Sequence, residues 1–301
     1  MAEARTTVPV LDATLRRSSW RPGWLPDLRR WPVTSVIILV PFAIAAVAAP
    51  LVAPYGLNEG SLSDRLLPPL FFGGTTDHIL GTDPLGRDML SRIIYGARIT
   101  ALVAGVALVA GGAFGTVMGL ISGYLGGWVD EVIMRIVDIK FSLPFILIAL
   151  ALTLIYGSSL ELLLALLAFL NWGGFARQVR GEVLLLREMD YVKLAKVAGA
   201  STPRILIKHI FPGVLNTVAV VATISVGGLI LAEAGLSFLG AGIPPPTPAW
   251  GSMTASGRLY IATSWWASVM PGLAIALVVV ALTLLGDWMR DRLDPRLRQV
   301  L

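Results

Sequence analysis

Few residues in this chain combine reactive chemistry with a usable spacing, and the mismatches narrow the function as much as the matches. A phosphate-binding P-loop needs Gly-x4-Gly-Lys-Ser/Thr. The four lysines, Lys140, Lys193, Lys196 and Lys208, are followed by Phe141, Leu194, Val197 and His209, so this polypeptide carries no such loop. His78 and His209 form no His-Glu-x-x-His pair, and Gly235-Leu-Ser237-Phe-Leu lacks the second glycine of a nucleophile elbow. The absence of cysteine excludes a disulfide framework, a CxxC redox pair and cysteine-ligated zinc. Asp77, Asp83 and Asp88 invite a cation reading, but their spacing is not that of an EF-hand loop. Turn capping accounts for them better, with Asp88 as the N-cap of a helix starting at Met89.

The most informative stretch is Glu188–Arg204. Tyr191, Leu194, Val197 and Ala198 make an apolar stripe on a short helix, with Lys193 and Lys196 off it. Gly199 suits the helix C-terminus. Ser201 or Thr202 can cap a second helix with Pro203 in its first turn, where the missing N–H costs nothing. Pro212-Gly213 is expected to kink that helix soon afterwards. Such a short amphipathic helix could lie on lipid, pack on its own bundle, or project as a knob received by another protein. Ala195, Ala198, Gly199 and Ala200 are small, which suits close approach to a partner backbone and suits lipid insertion poorly.

The elements that must position these residues follow from composition. The 301 residues are 55% hydrophobic and 14% charged, with a mean hydropathy of +0.76. A soluble domain carries about 25% charged residues, so the chain cannot build a water-facing surface and reads as an integral membrane protein. Apolar stretches of about 20 residues occur at Val33–Pro54, Ile99–Tyr124, Leu160–Phe175, Ile210–Leu239 and Trp266–Leu285. A further one begins amphipathically at Val129 and is apolar from Phe141 to Tyr156, with Pro144 expected to bend it. The expectation is therefore an all-α polytopic fold of six transmembrane helices. Its parts are a cytoplasmic N-terminal segment (1–32), a six-helix domain (33–289) and a cytoplasmic tail (290–301). Ala46-Val47-Ala48 resembles a signal-peptidase site, but the charged segment before it is long for a leader, and an uncleaved anchor is the favoured reading.

Orientation follows from the basic residues. With both termini on one side, 19 of the 24 lysines and arginines fall there, including seven between Arg177 and Lys208. That side carries about +7 and the other about −2, so both termini are expected to be cytoplasmic. The +5 net charge is thus a topology signal and not a nucleic-acid footprint. The outer loop 55–97 is rich in Pro and Gly and reads as an ordered turn assembly. The outer loop 240–265 holds Pro244, Pro245, Pro246 and Pro248 and reads as a stiff connector, with Trp250, Trp265 and Trp266 as interface anchors.

Polar groups at membrane depth are expensive and invite functional readings. Glu233, beside an expected break at Gly235, could line a path or hold an outer gate, or simply satisfy freed backbone groups. Asn171 could hydrogen-bond across helices or touch substrate. Glu131, Arg135 and Asp138 can pair along one helix face. Gly111, Gly112, Gly115 and Gly119 permit close helix contact and are a candidate surface for a partner subunit.

Taken together, several stretches resemble the permease subunits of ABC importers. Their cytoplasmic EAA-type motif matches here at Leu194-Ala195, Gly199 and His209-Ile-Phe-Pro212, with Lys193 where the motif usually has Glu. Leu80–Arg92, Glu233–Gly240 with Pro245–Gly251, and Gly286–Pro295 resemble the dipeptide, oligopeptide and nickel branch, in its DppC/OppC-like half. The resemblance implies the type I importer permease fold and a bacterial inner-membrane location. The implied function is a non-catalytic subunit forming a path for peptides, with nickel or another small solute as the alternative; an ion-coupled secondary transporter fits the buried acids less well. The implied partners are a homologous DppB/OppB-like permease, two DppD/DppF-like ATPase domains and an extracytoplasmic binding protein, with lipid around the spans. ATP and magnesium would reside on the ATPases. Docking to them is implied for Tyr191, Lys193, Leu194, Ala195, Ala198, Gly199, Ala200 and Ser201, within a coupling segment at 188–204.

Overall fold

A computed structural model describes residues 32–293; the N-terminal segment before Pro32 and the tail beyond Leu293, including Arg296 and Arg298, lie outside the described residues. The apolar runs form helices α1 (Val33–Val52), α2 (Met89–Leu125), α3 (Gly127–Ser142), α4 (Phe145–Tyr156), α5 (Leu160–Leu186), α6 (Asp190–Val197), α7 (Thr202–Ile205), α8 (Phe211–Phe238), α9 (Trp250–Gly257) and α10 (Trp266–Leu293). Among the described residues five helical stretches are long and apolar enough to cross a membrane; α3 and α4, bent by 81° at Leu143–Pro144, make a sixth if they count as one span. Pro144 enforces the break, since a proline blocks the helical bond of its own nitrogen and restricts its predecessor.

Helices α2 and α5 form the central pair. Gly111, Gly115, Gly119 and Gly123 lie buried along α2, and the backbone carbonyls of Ala168, Trp172, Ala176 and Arg180 on α5 sit where their side chains would be. A methyl at Gly115 would stand 2.1 Å from the Trp172 carbonyl oxygen. This corrects the sequence expectation: the glycine stripe is used within the chain, against α5, and is not free for a second subunit. Small-residue packing is the expected device here, because lipid supplies no hydrophobic force between helices. A core cluster from Met89, Val103, Leu163, Leu167, Leu229, Ile230, Trp250 and Met253 then joins α2, α5, α8 and α9.

The loops opposite α6 are ordered turn assemblies. Asp88 caps α2, its Oδ2 accepting from Ser91 N at 2.7 Å. Asp83 Oδ1 accepts from Leu85 N and Arg87 N, while its Oδ2 meets Arg87 at 2.6 Å and the buried Arg92 at 3.5 Å. The carboxylates therefore organise turns, as expected. The second loop is more than a connector: it contains α9, whose signal the prolines obscure. Two of the expected interface tryptophans are instead buried staples. Trp250 Nε1 donates to Ile93 O at 2.9 Å and Trp266 Nε1 to Thr82 O at 3.3 Å, the first fastening α9 to α2 and the second fastening α10 to the loop before α2.

Candidate functional site

Helix α5 ends at Leu186, and two turn bonds, Glu188 N to Leu185 O and Met189 N to Leu186 O, swing the chain into α6. Asp190 in the first turn and Lys196 in the last complement the helix dipole. The C-terminus closes in a Schellman arrangement: Gly199 N donates to Lys196 O at 3.1 Å and Ala200 N to Ala195 O at 3.0 Å. Gly199 sits at φ +76°, where a side chain would be strained. Ser201 then occupies the N-cap position of α7, with Pro203 in the first turn, although its side chain makes no capping bond.

One face of α6 holds the protein and the other faces away from it. Val192, with Ala195 and Ala200, packs on Val179, Val183, Ile205, Ile210 and Val214 from α5, α7, the turn between α7 and α8, and α8. Tyr191, Leu194, Val197 and Ala198 are exposed, Leu194 at 67% and Val197 at 86%. The expected stripe is thus outward, and the anchoring side chain is Val192, which the stripe pattern did not single out. Lys193 pairs with Glu188 at 3.5 Å, so this cation is engaged within its own segment.

Polar bonds also tie the end of α5, which leads into α6, to its neighbouring helices. Arg180 of α5 donates to both oxygens of Asp130 of α3, at 3.1 and 2.5 Å, and Ser122 of α2 donates to the same carboxylate. Arg187 Nη1 donates to Gly123 O at 2.9 Å. The expected Glu131–Arg135–Asp138 ladder is not formed; Asp138 pairs with Arg177 of α5 at 2.7 Å. The reason is geometric, since α5 presents its arginines directly to α3. Nothing in the spacing could have joined Asp130 to Arg180, 50 residues away.

Between α7 and α8 the chain makes a π-helical turn over Leu206–Ile210, with Phe211 N donating to Leu206 O. This turn replaces the simple proline kink expected at Pro212. Pro212 falls in the first turn of α8, where its lack of an N–H is harmless. Gly213 brings α8 close to α5, for a methyl there would lie 2.7 Å from Leu186 Cδ1. The structure therefore clasps α6 and α7 between the end of α5 and the start of α8.

Glu233 lies elsewhere, 1% exposed within α8, which continues unbroken to Phe238 instead of breaking at Gly235. Its Oε1 accepts from Ser237 Oγ at 2.7 Å, while Oε2 has no hydrogen-bond partner. Asn171 is buried on α5 at the α2 seam, and its Nδ2 is likewise unpartnered. Sequence reasoning missed Lys140, a buried lysine that donates to Leu170 O and lies 4.2 Å from the Phe141 ring centroid. Among the described residues no group of three His, Asp or Glu side chains could hold a metal ion.

Comparison with known proteins now adds to this geometry. Residues 115–299 match the family model described as binding-protein-dependent transport system inner membrane component. The dipeptide transport system permease protein DppC of Alkalihalophilus pseudofirmus is 40% identical over 93% of this chain and 91% of its own. The glutathione transport system permease protein GsiD of Pectobacterium atrosepticum is 39% identical, over 97% and 96%. An inward-facing structure of the MetNI methionine ABC transporter superposes with a TM-score of 0.51 at 20% identity, covering 68% of this chain and 98% of the other. That likeness speaks to the fold alone.

Proposed function

The chain belongs to the family of binding-protein-dependent transport system inner membrane components, as a multi-pass, non-catalytic permease subunit of an ABC importer, and on that premise we propose that α6 is the helix through which separate ATPases drive it. The observation that carries the proposal is the outward apolar face of Tyr191, Leu194 and Val197 on a helix rigidly fastened from behind by Val192. Exposed apolar side chains grouped on a fastened helix need a cover, and a chain without a P-loop needs an external motor. Gly199, Ala200 and Ser201 form the tight end of the knob, and Lys193 and Lys196 form its polar rim.

In this reading the six spans include the bent α3–α4 pair, both termini are cytoplasmic, and the domain boundaries follow the sequence assignment. The partners are a homologous permease of the DppB/OppB kind, two ATPase domains of the DppD/DppF kind and an extracytoplasmic binding protein. The relatives named for dipeptide and glutathione transport favour small peptides as cargo, over nickel or another solute. Glu233 and Asn171 are buried in the subunit's own helix packing, which favours a gate-positioning role over direct contact with cargo. Nucleotide-driven closure of the ATPases would move α6. The continuous α7–α8 segment carries that motion to Glu233.

The test uses Leu194→Glu, at a side chain whose exposure spares the fold. The membrane-embedded permeases should still assemble, while the ATPase subunits fail to co-purify and uptake is lost. Retained co-purification and uptake would refute the assignment of α6.

A further inference from the structure

The loop between α1 and α2 carries two aromatic side chains that its own fold holds outward. Phe71 is 81% exposed and Phe72 62% exposed, on a single 3-10 turn (Leu70–Phe72). The turn is braced: Leu70 N donates to Ile79 O, and Phe72 N and Gly74 N both donate to Pro69 O. Gly73 takes φ +88°, and a side chain at Gly74 would collide with the Pro68 carbonyl. A collapsed loop would bury its phenylalanines, so a braced turn that projects two of them calls for an external apolar contact.

The depth of this turn can be read from its neighbours. Phe72 meets Trp265 edge-on at 5.2 Å, and Trp265 immediately precedes α10. In the same loop Arg65 donates to Tyr260 Oη at 2.8 Å. Arg258, two residues before Tyr260, stands 5.3 Å over the ring of Phe238, the last residue of α8. The stretch 258–265 therefore marks the mouths of two membrane spans, and both loops meet it at that level. Leu62, Leu259 and Ile261 are also exposed there.

We propose that Phe71 and Phe72 form a wedge seated in the lipid interface at the span ends opposite α6, with Arg65 and Arg258 facing phospholipid headgroups. Aromatic residues are enriched at this level of a bilayer, and apolar side chains there reach about 5–10 Å into the headgroup and acyl boundary. The two arginines supply charge complementary to lipid phosphate at the same depth. The inference rests on membrane insertion and is independent of what docks on α6.

The chain has no cysteine, which makes the test direct. Phe71→Cys and Phe72→Cys, made separately in the assembled transporter and carrying a nitroxide, are reconstituted in phospholipid nanodiscs, with Glu59→Cys as the aqueous loop reference. The unsubstituted complex, taken through the same labelling, sets the background from other subunits. Collision with lipid-soluble oxygen relative to a water-soluble nickel chelate should be several-fold higher at positions 71 and 72 than at 59. A ratio equal to that at Glu59 would overturn the proposal. So would labels shielded from both reagents, which would make the cover a protein partner and not lipid.

Discussion

Gly115→Ala is the sharpest test of how this fold is held together. A methyl at Gly115 would be placed 2.1 Å from the Trp172 carbonyl oxygen and 2.8 Å from Phe175 Cβ. A carbon rarely approaches such atoms within about 3 Å, so α2 and α5 must separate by roughly 1 Å or bend. Overpacking a tight core costs about 1–3 kcal/mol, and a backbone carbonyl on a helix cannot rotate away as a side-chain tip would. At about 2–4 °C per kcal/mol for a domain of this size, the thermal midpoint should fall by roughly 2–12 °C. The matched control is Gly105→Ala on the same helix, where a methyl meets nothing within 4 Å. There the change should be neutral, or stabilising by up to about 1 kcal/mol through helix propensity. The assay is a thermal melt of the detergent-solubilised subunit followed by size-exclusion profile. Equal midpoints for the two variants would refute the reading of α2–α5 as a backbone-to-backbone seam.

Two further outcomes follow from buried polar groups. Asp83→Asn keeps an acceptor for the Leu85 and Arg87 amides but removes the charge facing buried Arg92 and Arg87. Breaking a buried pair costs about 3–5 kcal/mol, so the midpoint should drop and limited proteolysis should cut in the 55–97 loop; an unchanged protein would mean that Arg92 finds compensation elsewhere. Glu233→Leu combined with Ser237→Ala removes both partners of a buried bond, one of them a carboxylate whose Oε2 has no partner, and replacing both partners by apolar groups can be neutral or stabilising. Its thermal midpoint should hold or rise while uptake falls; wild-type uptake would reduce Glu233 to a packing residue.

What the sequence made legible and what it hid divide along physical lines. The positions of the apolar helices, the Asp88 cap, the Pro144 bend and the Gly199 helix stop depend on local backbone chemistry, and each appears where its residues point. Features that depend on which helix lies opposite were not legible. The glycine stripe of α2 announces close packing, but only the fold says that the partner is α5 of the same chain. Asp138 looked like a local partner for Arg135 because spacing reveals only neighbours on one helix; Arg177 of α5 takes it. Trp250 and Trp266 carry the type expected at a lipid interface, yet the N–H of Trp250 reaches a carbonyl of α2 and that of Trp266 a loop carbonyl, and both rings are buried. The α6 stripe is the instructive intermediate case. Its periodicity gave an apolar face without saying whether that face was inward, and the answer came from Val192, one residue off the stripe, filling the inward position. Once Val192 is the anchor, Tyr191, Leu194 and Val197 cannot also be core. An outward apolar face beside seven basic residues, on a chain without a P-loop, is the feature on which the proposed docking of a separate ATPase rests.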